Sequence, residues 1–256
     1  MHIQMPSIFK INQKTMKAII VLILISVIGL VALSSCRNPL KSGNGKVTTE
    51  ERKITPFTRV TIEGLFPVDI SQTGDKESVK VETDANLQSQ ITVTNDGDEL
   101  IIKNTNDESI NKSSKTKIYI NIKNLKELNF KSVGSLSTTG VLKLDSLNLN
   151  TESVGKLDMD LDVDYLHANL SSVGGTTLNG KVHEARINNR SMGTLSAFGL
   201  KVGTMMIHNT SVGVTEVYAD SAFYIRSSSV GALYYKGPGL VKELNSEGIG
   251  VVKKQD

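Results

Sequence analysis

Four aspartates, Asp158, Asp160, Asp162 and Asp164, alternate with the apolar residues Met159, Leu161 and Val163. In an extended strand every second side chain faces the same way, so these carboxylates would form a row about 7 Å apart. Such a row could offer oxygens to Ca²⁺, which gathers about six to eight of them from a bent loop. A straight strand brings them together poorly. The reading is therefore a solvated acidic face, with Asp158, Asp160 and Asp162 as weak metal candidates and no metal predicted. His167, His183 and His208 show none of the close spacing that puts two imidazoles on one ion. The one cysteine, Cys36, rules out a disulfide within the chain, and no serine sits in a nucleophile-elbow context. No catalytic residue and no cofactor are predicted. The alternative, a β-helix enzyme acting on polysaccharide, would need acids clustered with a base on one face, and the sequence shows no such cluster.

Rings are the other chemistry on offer. Tyr218, Phe223, Tyr224, Tyr234 and Tyr235 crowd the last two full repeats of a chain that has no tryptophan. Tyrosines on a rigid surface can stack on sugars or anchor a protein contact, and they can equally fill a tapering core. Tyr218, Tyr224, Tyr234 and Tyr235 are the candidate interface, for a protein or glycan ligand.

The element that must position these groups is a repeated tripeptide. Ser132-Val133-Gly134 returns as Ser153-Val154-Gly155, Ser172-Val173-Gly174, Ser191-Met192-Gly193, Ser211-Val212-Gly213 and Ser229-Val230-Gly231, with a last trace at Gly248-Ile249-Gly250. The third-position glycines follow one another at steps of 21, 19, 19, 20, 18 and 19 residues. A sustained period near 20 is the mark of a solenoid.

Columns appear when the repeats are aligned on that glycine. One residue before it the side chain is always apolar, from Val133 to Ile249, and six before it the same holds, from Leu128 to Leu244. Both columns are read as stacking along the coil axis. Between them the pattern alternates, as in Leu147-Asn148-Leu149 and Ala185-Arg186-Ile187, which is the period of half-buried strands. About 20 residues make a loop roughly 65 Å around, enough for two or three short strands with corners. The fold class is all-β: a parallel β-helix-like solenoid with ~20-residue rungs, preceded by a β-rich capping region. A leucine-rich horseshoe shares the period, but its signature is absent. Five before the glycine stand Asn129, Asn150, Asn169, Asn188, His208, Arg226 and Asn245, read as a stacked amide column at a corner. The serines form a hydroxyl column. A second glycine column holds Gly140, Gly180, Gly199 and Gly237.

The N-terminus reads as an address. Lys10, Lys14 and Lys17 precede an apolar run from Ala18 to Leu33, shorter than the ~20 residues a membrane span needs. Leu33-Ser34-Ser35-Cys36 resembles a bacterial lipobox, making Cys36 the lipidation site and the membrane a partner through that lipid. Residues 1–35 are then a signal peptide, with Met16 an alternative start, and 36–53 the lipidated cysteine and a flexible tether. Removing the signal leaves 29 − 3 = 26 basic residues against 26 acidic ones, so no electrostatic case for nucleic acid remains. No acidic run follows Cys36, which favours the periplasmic side of the outer membrane over the cell surface.

Residues 54–124 are β-rich without the repeat, and 125–256 carry the coils. Asp84 is placed to cap a short helix through Gln90, and Asn95-Asp96-Gly97-Asp98 joins two apolar runs as a hairpin. Lys253-Lys254 would discourage pairing at a terminal edge. The opening Phe57-x-x-Val60-x-Ile62, continuing Phe66-x-Val68-x-Ile70, leads to Asp96-Gly97-Asp98-Glu99-Leu100-Ile101-Ile102 and then to the Ser-Val-Gly coils. In this order the chain resembles the DUF2807 family, the head GIN domain of proposed auto-transporter adhesins in Bacteroidetes, from about Phe57 to Val252. The resemblance implies a β-helix-like fold, a cell-envelope location and a non-enzymatic adhesin-like or scaffold role.

Overall fold

The computed structural model describes residues 41–105, 110–112 and 115–256, so residues 1–35, read above as a signal peptide, and Cys36 lie outside the described residues. In chain order the first elements are β1 (Lys41–Ser42), β2 (Val47–Arg52), β3 (Arg59–Gly64), β4 (Val68–Ser71) and β5 (Ser78–Asp84). A 3₁₀ turn (Ala85–Gln90) follows, then β6 (Ile91–Asp96), β7 (Glu99–Asn104), β8 (Ile110–Lys112) and β9 (Lys117–Asn121). The coils comprise β10 (Glu127–Ser132), β11 (Leu136–Thr139), β12 (Leu142–Thr151), β13 (Leu157–Leu170), β14 (Val173–Asn189), β15 (Met192–Ala197) and β16 (Leu200–Asn209). They end with β17 (Val212–Tyr218), β18 (Ala222–Ser227), β19 (Val230–Lys236), β20 (Leu240–Ser246) and β21 (Val251–Lys254).

Two parallel ladders run the length of the solenoid. One is β7, β3, β10, β12, then the later halves of β13 and β14, then β16, β18 and β20. The other is β9, β4, β11, the early halves of β13 and β14, then β15, β17, β19 and β21. The register matches the glycine alignment: Leu128, Leu149, Ala168, Ile187, Ile207 and Ile225 are successive partners, all buried. Each fully buried aliphatic side chain in such a column contributes about 1.5–3 kcal/mol.

The repeat starts earlier than its signature. β3 and β4 form a rung, and β7 with β9 another, yet β3 lies between β7 and β10. The chain therefore lays down an inner rung, turns back through the antiparallel strands β5 and β6, adds the outer rung, and then continues on the far side of the first. The β6–β7 hairpin is closed by Gly97 at φ +60°. β2, β5 and the 3₁₀ turn cover this end of the core, the cap a solenoid requires.

Three sequence expectations need correction. β2 lies inside the stretch read as tether; its six residues pair antiparallel with β5 from Val47–Asp84 to Arg52–Val79. Its largely polar sequence hid it because it is an exposed edge. Asp84 precedes the 3₁₀ turn but makes no side-chain cap; its carboxylate instead accepts the Gly45 N–H at 2.7 Å. The third concerns the tripeptide. Ser132, Ser153, Ser172, Ser191, Ser211 and Ser229 are buried, while Val133, Val154, Val173, Met192, Val212 and Val230 are 44–55% exposed and Ile249 is 87% exposed. The strand alternation runs through the corner, so the inward slot falls to serine and the apolar residue stacks outside.

The corner itself depends on glycine. Gly155, Gly174, Gly193, Gly213 and Gly231 hold φ between +131° and +147°. A Cβ on Gly174 would stand 2.3 Å from the Gly155 carbonyl oxygen. Backbone stacks directly on backbone there.

Candidate ligand-binding face

The sequence candidates do not form one site. Asp158 pairs with Lys156 at 2.8 Å, Asp160 lies opposite Asn179, and Asp162 lies between Lys143 and Lys181 in the ladder. Asp164 has no ladder partner on either side, although the register continues unchanged from Val163 to Tyr165. Among the described residues no three acidic, histidine or cysteine side chains converge on a metal position.

The tyrosines are dispersed by strand alternation. Tyr235 is half-buried and packs against the core, edge-on to Phe223 with ring centroids 5.3 Å apart. Tyr218 donates to Asp220 Oδ1 at 2.7 Å and carries the Lys201 ammonium 3.6 Å over its ring. Tyr234 is on the outer side of the β17–β19–β21 ladder, opposite Glu216 and Lys253. Tyr224 is on the other ladder.

Around Tyr224 the outer surface of β14, β16, β18 and β20 forms an open groove of about 550 Å³. Two outward columns line it. Seven residues before the repeat glycine the column reads His167, Arg186, Met206, Tyr224, Glu243; five before it reads Asn169, Asn188, His208, Arg226, Asn245. Both alternate with the buried column six before the glycine, so rungs about 4.8 Å apart present paired side chains about 7 Å apart across the strand.

The asparagine column is hydrogen-bonded as a ladder, and Asn150, Asn169 and Asn188 each stand one residue before the end of their strand, where the chain enters the corner. Asn150 donates to Asn129 Oδ1 at 2.9 Å, Asn169 to Asn150 at 2.8 Å, and Asn188 to Asn169 at 2.8 Å. Each amide nitrogen is spent on the rung before it. The next residue in line is His208, and among the described residues no protein donor reaches Asn188 Oδ1. The ladder therefore ends with an acceptor turned to the groove.

Charge in the groove is uneven. Arg226 Nε donates to Glu243 Oε1 at 2.7 Å, and this hydrogen bond with its attached charge raises the guanidinium above its ordinary pKa. Arg186 touches only Met206 Sδ, at 3.6 Å, and has no ion pair among the described residues. Arg186, Met206 and Glu243 were not singled out by sequence; their signal was the column seven before the glycine, outward by the same alternation.

Comparison with known proteins fits this architecture. The family described as "Putative auto-transporter adhesin, head GIN domain" (DUF2807) matches residues 56–239. No match is found among curated proteins. A "putative adhesin" from Bacteroides fragilis superposes with a TM-score of 0.79 at 22% identity, covering 84% of this chain and 100% of that one. A "putative lipid binding protein" from Parabacteroides distasonis gives 0.67 at 22% identity, covering 84% and 99%. A second P. distasonis structure, again a "putative adhesin", gives 0.59 at 21%, covering 84% and 99%. At these identities the likeness is one of fold.

Proposed function

This chain belongs to the DUF2807 family, and from that premise we propose that it is a lipid-anchored, non-enzymatic binding module of the cell envelope. It holds ligand along the side of its solenoid, in the groove on β14, β16, β18 and β20. The observation that carries the reading is the composition of that groove. Hydrolysis of a glycosidic bond calls on two carboxylates flanking the bond. The groove lining contains one, Glu243, already paired with Arg226. What remains suits recognition: an exposed ring, a cation without an ion pair among the described residues and an open acceptor, fixed on strands that cannot shift independently.

The anchor is proposed at Cys36, with the tether reduced to the residues before β1, since Lys41–Ser42 pairs with β8 and Gly45 N–H donates to Asp84. The lipobox pattern and the absence of an acidic run after the cysteine support an outer-membrane lipoprotein facing the periplasm. The relatives described as adhesins support a contact role.

Labelling of cells with palmitate tests the anchor. The chain takes up label and fractionates with membranes, while Cys36→Ser is unlabelled and soluble. Label on the serine variant would overturn the assignment. Protease added to intact cells leaves the chain whole if it faces the periplasm, and cleaves it if it faces outward.

A further inference from the structure

We propose that the groove binds an acidic glycan, with a sugar carboxylate on Arg186, a sugar hydroxyl donating to Asn188 Oδ1 and a pyranose face stacked on Tyr224; this rests on the reading of the face as a binding surface. Three observations converge on that chemistry. Asn188 Oδ1 is the unfilled end of a one-way amide ladder, and it asks for a donor such as a hydroxyl. Arg186 is the groove's surplus cation, since Arg226 and Glu243 cancel each other. Its planar fork of donors matches a carboxylate. Tyr224 presents 38% of its surface, and an exposed ring is a platform for the C–H face of a sugar.

The spacing fits one ligand spanning all three. Arg186 and Tyr224 lie in one column two rungs apart, about 10 Å, a distance that a disaccharide unit covers. Asn188 sits beside Arg186 in the same rung. A peptide adding as a strand would need a free sheet edge, which in the groove only β20 offers; β14, β16 and β18, which carry Arg186, Asn188 and Tyr224, are hydrogen-bonded on both sides.

Calorimetry on the full chain in detergent, with polygalacturonate and alginate oligosaccharides as probes and dextran and mannan fragments as neutral controls, tests the proposal. The expected result is binding of an acidic probe and none of the neutral ones. Arg186→Gln and Tyr224→Ala should each weaken it by about tenfold or more, while Tyr234→Ala on the other ladder leaves it unchanged. Both groove side chains are exposed, so circular dichroism should report intact folds; were Arg186→Gln to unfold, Arg186→Lys serves, keeping the charge and losing the fork. No binding of either acidic probe, equal binding of neutral probes, or full affinity in the Arg186 variant would overturn it. Failure here leaves the broader binding role standing if the groove still captures another species in cells, as tested at the close of the Discussion.

Discussion

Asn188 donates its amide to Asn169 Oδ1 across 2.8 Å, and no amide in the next rung returns a donor to it. The ladder that stiffens the outer surface through four rungs stops at the edge of the groove, where His208 occupies the next place. Structural repetition and the candidate site are thus two states of one column.

That relationship predicts a trade. His208→Asn extends the ladder, and its amide would reach Asn188 Oδ1. The gain in stability should be about 0.5–1.5 kcal/mol, the net worth of one hydrogen bond, read as a higher denaturation midpoint. The same substitution should weaken acidic-glycan binding, because the acceptor is now filled. A stabilised variant with full affinity would separate Asn188 from the ligand.

Gly174→Ala should be severe. The added Cβ would stand 2.3 Å from the Gly155 oxygen in a backbone held at φ +133°. The cost should be at least about 2 kcal/mol, measured by chemical denaturation. Gly175→Ala next door, where a Cβ would meet nothing within 4 Å, should be nearly neutral.

The interior carries a polar knot. Asn209 Oδ1, fully buried, accepts from Asn189 Nδ2 at 3.1 Å, Ser211 Oγ at 2.8 Å and Thr215 Oγ1 at 3.1 Å. Asn209→Ala removes the acceptor shared by three donors; Asn189 Nδ2 keeps Thr215 Oγ1 at 2.9 Å, and Ser211 and Thr215 lie 3.3 Å apart, so the cost should be about 1–3 kcal/mol. The buried Asn209 Nδ2 atom has no hydrogen-bond partner among the described residues, and an ordered water is expected to fill that role. A crystal structure showing a dry contact would contradict that detail.

Acid should loosen the cap. In β5, the Glu82 carboxylate accepts from Lys115 Nζ at 2.8 Å and from the Tyr119 hydroxyl at 2.9 Å, which holds its pKa below the ordinary carboxylate range. A depressed carboxylate adds stability above its unfolded pKa and loses it as pH falls through the folded one. Glu82→Gln should therefore lower the denaturation midpoint at pH 7. The gap from the parent chain should close as the pH drops below the ordinary carboxylate range. A constant gap across that window would show that the ion pair is not the cause.

Much of this architecture was legible in the sequence. The glycine steps gave the rung length, the apolar column from Leu128 to Ile225 gave the register, and Asp96-Gly97-Asp98 gave the hairpin. What escaped has a physical reason in each case. The column one before the glycine reads as stacking along the coil axis with no face assigned to it; alternation through the corner turns Val133 outward and Ser132 inward, and buried serines satisfy one another, as Ser153 and Ser172 do at 3.0 Å. The alternation of Val60, Ile62, Val68 and Ile70 reads as strands that continue or cap the same sheet system, and β3 and β4 do continue both ladders; what the sequence did not show is that a later segment is threaded outside them, so sequence order departs from spatial order. The groove was half visible. Tyr224 was singled out as an aromatic and His208 as a histidine, yet only the stacking of rungs brings them beside Arg186.

The most direct test of the account is photo-crosslinking in living cells. A benzophenone amino acid at position 206, in the middle of the groove, is compared with one at position 158 on the other ladder. The account predicts a shifted, ligand-bearing adduct from position 206 and none from 158. Adducts only from 158, or from neither, would contradict a binding role for this face.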